Sequence, residues 1–198
     1  MDRSDPHSPV MDPHFPEGPR SAIGWFWAFR RYLGRYYQAS DRSKCDPSPW
    51  PDGFDPQRNP VFAHNEIDIE APATDVFGVL IDAQAWHTFY PNASGVVMAA
   101  GSAGRLAAGS RFEWTTFGTR QRSRVTVFEP SVALGWTADS PGTHAFHRWI
   151  LDHRGGSTRV ITEECQHGPV AFLDRYWMNR SLHAAHQLWL ERLRGQLL

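Results

Sequence analysis

The hydrophobic pattern is most regular at the end of the chain. From Val170 to Leu197, Leu182, Ala185, Trp189 and Leu193 recur at spacings of three and four, and Arg180, His183, Gln187, Glu191 and Arg194 form a polar row opposite them. That period describes an α-helix with one buried stripe. Gly168-Pro169 ends a strand and opens the helix, since proline loses nothing in a first turn, and no glycine or proline follows until Gly195. At 1.5 Å per residue the helix is about 42 Å long, enough to cross a small domain. Its first turns depart from the stripe. Phe172, Leu173, Tyr176, Trp177 and Met178 run nearly all the way round, so this segment must be enclosed or must face something apolar.

Upstream the period changes to two. Ile67 and Ile69 alternate with Glu66, Asp68 and Glu70, a strand with one buried face, and Pro72 stops it. Residues 73–83 turn helical on Val76, Phe77, Val79 and Leu80, and a shorter helix over 84–90 ends at Pro91-Asn92. Strand patterns follow at 96–100, 110–117, 119–129, 132–138, 143–152 and 157–167, separated by Gly- and Pro-bearing turns. Strands joined by short turns are antiparallel, because parallel neighbours need long crossovers. The reading is an α+β fold: a curved seven-stranded antiparallel sheet, two short helices after the first strand, and a long closing helix.

The first sixty residues are organised differently. Ten of the fifteen prolines lie at or before Pro60. Residues 1–20 read as an extended or disordered Pro-rich arm and residues 39–60 as a Pro-rich linker without regular structure. Between them, residues 21–38 place Trp25, Phe26, Phe29, Tyr32, Leu33 and Tyr36 on one helical arc, with Arg31 and Arg35 facing it. This amphipathic helix suits the domain surface or a second copy of the chain, with peripheral membrane contact as the alternative. Residues 61–198 form the main domain.

Composition narrows the functional classes. A net charge of −1 leaves no electrostatic footprint for nucleic acid. Cys45 and Cys165 form no spacing motif, which suits a reduced protein. No apolar run approaches 18 residues, and the first residues lack the charged-then-apolar order of a secretory signal. Cytoplasm is the expected location.

No nucleophile elbow, phosphate loop, dinucleotide fingerprint or paired-cysteine metal motif occurs, so neither a metal nor an organic cofactor is expected. His183 and His186 lie three apart on the helix near Arg180 and Arg175, without a nearby carboxylate in sequence, and read as solvated histidines. His144 and His147 face opposite sides of one strand. Arg120, Arg122 and Arg124 share a strand face that is either solvated or a docking strip for an acidic acyl-carrier protein, with Val125 and Val127 pointing inward. The informative pair is Glu163-Glu164: adjacent strand residues point oppositely, so one carboxylate faces the concave side of the sheet. His147-Arg148 on the preceding strand does the same, setting a Glu beside a His or an Arg across the sheet. Alternation leaves open which glutamate faces inward; Glu164 is carried forward. It and His147 are the candidates for an acid/base pair or a polar anchor.

Several phrases resemble the START-like, or SRPBCC, superfamily, which includes polyketide cyclase/dehydrases. They are Ile67-Asp68-Ile69-Glu70-Ala71-Pro72 with Val76-Phe77, the spacing to Trp86 and Tyr90-Pro91-Asn92, His147-Arg148-Trp149, Gly156-Ser157-Thr158-Arg159-Val160 and Thr162-Glu163-Glu164. The ending Leu188-Trp189-Leu190-Glu191-Arg192-Leu193-Arg194 is similar too. The resemblance implies a helix-grip fold, whose sheet curls around the last helix and encloses a cavity for an apolar ligand. Trp86, Phe89, Tyr90, Phe112 and Trp114 are the expected lining from the first half of the domain. His147, Trp149, Glu164, Leu173 and Trp177 are expected from the second. Two functions fit: binding a hydrophobic lipid, polyketide or other polycyclic compound, or cyclising or dehydrating a polyketide-like substrate in the same cavity. A third, an adaptor acting through residues 21–38, comes from the aromatic helix.

Overall fold

The computed structural model describes residues 36–99 and 104–198. The proposed helix at 21–38 lies almost wholly outside them, as does the arm before it. Seven strands, β1 (Val61–Ile69), β2 (Ser94–Met98), β3 (Arg111–Thr116), β4 (Thr119–Glu129), β5 (Ala133–Ser140), β6 (Thr143–Arg154) and β7 (Ser157–His167), form one sheet in the order β1-β7-β6-β5-β4-β3-β2. Every pairing is antiparallel. The α-helices among the described residues are α1 (Ala73–Ile81), the four-residue α2 (Trp86–Phe89) and the long α3 (Pro169–Gly195). This is the helix-grip arrangement: α3 lies along the concave face, most closely against β1, while α1 and α2 close one end.

Turn chemistry sets the registers. Gly155-Gly156 is a two-residue hairpin loop with Gly155 at φ 66°, which places Arg154 opposite Ser157 and, further along, His147 opposite Glu164 and Arg148 opposite Glu163. Pro141-Gly142 does the same for β5 and β6, setting Trp136 beside His147. A register shift in β4 between Val125 and Val127 corrects one expectation. Val125 stays buried in the core, but the bulge turns Val127 to the outer face, beside Gly135.

The Pro-rich segment does not behave as a linker. It runs across the outer face of β6, β7 and β1 as a strap. The buried Arg148 guanidinium donates to both the Asp46 and Ser48 carbonyls and lies 4.0 Å over the Trp50 ring. Arg148 Nε and Nη2 also reach Glu163 Oε2 at 2.9 and 2.7 Å, and Glu163 Oε1 accepts from the Asp46 backbone N–H. Trp50 and Phe54 pack on Phe146. This cover explains why Val61 to Asn65 is buried on both faces and shows no alternation. The polar row of α3 is engaged as well: His183 Nδ1 meets Ser40 Oγ at 2.8 Å, Asn65 donates to Gln187, and Tyr36 donates to Glu191. Both cysteines are free. Among the described residues, no helix is long and apolar enough to cross a membrane.

Candidate functional site

Between the concave sheet and α3 lies a cavity of about 520 Å³. Trp114, Trp136, Trp189, Met178 and Leu182 supply most of its apolar wall, with Tyr90 at the closed end. At the open end stand the exposed residues Thr119, Pro141 and Val170, from two hairpin turns and the first turn of α3. Gly142 draws these parts together: its carbonyl accepts from Val170 N at 2.9 Å, and a Cβ there would sit 2.5 Å from Val170 Cγ2.

One wall is polar. β6 projects His147 inward, β7 projects Glu164 and α3 projects His186. Glu164 Oε2 lies 3.4 Å from His147 Nδ1 and 3.4 Å from His186 Nε2. The two imidazoles stack at 4.6 Å with planes 17° apart, and Trp136 covers the His147 ring at 4.7 Å. Outer partners hold two of the three. His147 Nε2 meets Thr162 Oγ1 at 2.7 Å, and Gln166 Nε2 donates to Glu164 Oε1 at 2.6 Å. His186 Nδ1 is buried without a partner. Burial, reinforced by the neighbouring His186, pushes the His147 imidazole well below its ordinary range, so it is neutral near pH 7. Tyr90 is stacked on Trp189 at 4.2 Å and accepts from Asn92; burial holds its hydroxyl protonated. Burial also raises the carboxyl of Asp174, which lines the cavity near its open end.

Tyr90, Trp114, His147 and Glu164 therefore line the cavity, and Glu164 rather than Glu163 faces inward. Six expected lining residues do not. Trp86 is fully buried at the centre of an aromatic cluster, its indole N–H held by the Leu80 carbonyl. Phe112 packs edge-on against Trp86 and Trp136, Trp149 lies behind His147 and against Trp189, and Phe89 is buried away from the opening. Leu173 and Trp177 fall on the outward side of α3, where Leu173 is 80% exposed and Trp177 meets Tyr37 and Tyr176. Helical periodicity put them in an all-round apolar segment, but only Val170, Asp174 and Met178 of those turns reach the cavity.

The reading of His186 as solvated is overturned too. It is buried, and the carboxylate it lacked in sequence comes from β7. The signal was present: 182, 186, 189 and 193 continue the apolar spacing, so His186 sits on the buried stripe. Trp136 and Trp189 also line the cavity, and neither is among the residues expected there from the sequence. His144 does face away from His147, pairing with Asp139 and stacking on His167. On β4, Arg120 and Arg122 pair with Glu113 across the hairpin, while Arg124 stands opposite Arg111.

The sequence profile of the family described as polyketide cyclase / dehydrase and lipid transport matches residues 63–197. The chain belongs to that family. Polyketide cyclase/dehydrase and lipid transport proteins sit within the START-like superfamily, and solved structures agree on the fold. A hypothetical protein from Helicobacter pylori superposes with a TM-score of 0.71 at 24% identity, over 78% of this chain and 98% of its own. A Thermus thermophilus protein gives 0.56 at 15% identity, covering 69% and 96%. A START superfamily protein from Mycobacterium smegmatis gives 0.55 at 12% identity, covering 69% and 96%. No curated protein matches the sequence. Membership in the cyclase/dehydrase and lipid transport family supports a hydrophobic-ligand or polyketide-associated role without naming a specific one.

Proposed function

We propose that this protein encloses one hydrophobic small molecule, with its apolar body against Trp114, Trp136, Trp189 and Leu182. An oxygen-bearing end is directed to His147 and Glu164. The single observation that carries this reading is the cavity itself. About 520 Å³ of space with aromatic walls and one convergent polar cluster is the usual form of a small-molecule site. Thr162 and Gln166 hold His147 and Glu164, so a carbonyl or hydroxyl placed beside them finds its partners already oriented. Lipids, polyketides and other polycyclic compounds share that chemistry.

Titration with the uncharged fluorophore N-phenyl-1-naphthylamine tests the reading. Ala138 lines the cavity beside Ala145 on the neighbouring strand. Ala138→Phe would place a ring in the open space and weaken the probe by about tenfold or more, equivalent to roughly 1.4 kcal/mol. Equal affinity in both proteins would place the probe elsewhere and remove the reading.

A second reading, a cyclase or dehydratase on the same scaffold, is favoured by the neutral His147 imidazole beside a carboxylate. A neutral imidazole facing the cavity can take a proton from an enolisable carbon, and Glu164 can balance the resulting charge. His147→Gln and Glu164→Gln would then abolish turnover of a polyketide-like substrate while retaining its binding. Unchanged turnover in both variants would leave binding alone.

A further inference from the structure

We propose that His147, Glu164 and His186 form a three-ligand site for one first-row divalent transition-metal ion, with its remaining coordination position open to the cavity. The three side chains come from β6, β7 and α3, and one donor atom from each lies within 4.8 Å of the others. Two imidazole nitrogens and one carboxylate oxygen are the donor set of open, reactive zinc and iron sites, whereas calcium and magnesium prefer all-oxygen shells.

Glu164 Oε2 is 3.4 Å from both His147 Nδ1 and His186 Nε2. That is longer than an ordinary N–H···O hydrogen bond. It equals the edge of a tetrahedron: donors at 2.0–2.1 Å from a central ion are separated by about 3.3–3.4 Å. Two ligands already carry the outer partners that metal ligands require. Thr162 Oγ1 fixes the His147 ring with Nδ1 turned to Glu164, and Gln166 fixes the other oxygen of Glu164. His186 is the adjustable member. Its ring is stacked nearly parallel to that of His147, and parallel rings do not aim their lone pairs at one point. With Nδ1 unpartnered and the cavity alongside, His186 is the ligand that rotates to complete the shell.

The ion would take over from the bare His147 and Glu164 side chains as the partner of the guest's oxygen while leaving the aromatic walls unchanged, so cobalt binding and fluorophore binding are measured separately and can fail separately. It is tested on the full chain, stripped with a chelator and titrated with cobalt(II), whose visible absorption reports four- or five-coordination. The expected result is one-to-one binding with a distinct spectrum, displaced by zinc(II) and insensitive to magnesium(II). His186→Ala and Glu164→Gln should each weaken cobalt binding roughly 100-fold or more. His144→Ala, which alters the surface pair with His167, should leave it unchanged. Circular dichroism shows that the variants are folded, and His186→Ala decides if Glu164→Gln is not. Absence of a one-to-one cobalt spectrum in the wild type would overturn the proposal. Binding that survives both site variants and falls in His144→Ala would overturn it too, as adventitious surface chelation.

Discussion

Arg148→Ala tests whether the strap and the site are mechanically one unit. Arg148 and Glu163 stand back to back with His147 and Glu164 in adjacent rungs of the same ladder, so the outer ion pair holds the register that sets the inner one. The substitution removes two charge-assisted hydrogen bonds to Glu163, the bonds to the strap carbonyls, and the cation–π contact with Trp50. It also leaves Glu163, which is fully buried, without the guanidinium, keeping only His64 Nδ1 at 2.7 Å and the Asp46 N–H. Breaking one partner of a buried pair costs about 3–5 kcal/mol. At about 2–4 °C per kcal/mol for a chain of this size, the thermal midpoint should fall by roughly 6–20 °C. Limited proteolysis should open first within 46–54, because that segment loses its anchor. The double variant Arg148→Met/Glu163→Leu should recover part of the loss, since the stranded carboxylate is gone while His64 Nδ1, 2.7 Å from Glu163 Oε1, and the Asp46 N–H lose their partner. A fall below about 1 kcal/mol in Arg148→Ala, with the strap still protected, would refute the clamp, being no more than a surface ion pair contributes.

Two other perturbations have defined outcomes. Gly168→Ala should destabilise the protein by about 1–3 kcal/mol and more than Gly142→Ala, because both residues have positive φ but the added Cβ at Gly168 meets the Gly142 backbone oxygen at 2.6 Å, whereas at Gly142 it meets a side-chain methyl; chemical denaturation ranks them, and the reverse order would contradict the geometry. The His183 imidazole is held down to about 4 from its ordinary 6.5 by burial and then by His186. Unfolding lets it take up a proton, so its contribution is fully present above about pH 6.5 and is lost as pH falls towards 4. His183→Gln should flatten the fall in melting temperature across that window, and an identical pH profile would contradict the assignment.

What could be read from the sequence divides along physical lines. Period-two and period-3.6 patterns and the turn glycines are local, and they located the seven strands and three α-helices of the described residues. The two-residue Gly155-Gly156 turn even determines the cross-strand pairs, because antiparallel register propagates from the hairpin. The site was only partly legible. His186 and Glu164 are far apart in sequence, and their meeting depends on how α3 is rotated over β7. Trp86 and Trp149 could not be separated from Trp136 and Trp189 by pattern, since all four bury fully and only packing decides which touch open space. The strap escaped because proline-rich segments carry no period; what holds it is a buried guanidinium addressed to backbone carbonyls.

The space between sheet and helix is proposed to hold a guest. Native mass spectrometry of the protein purified from its own host tests it most directly. The expected spectrum contains an adduct of a discrete small molecule, one per chain, that is released by organic solvent and lost in Ala138→Phe. A bare chain mass, together with no saturable uptake of N-phenyl-1-naphthylamine, would contradict it.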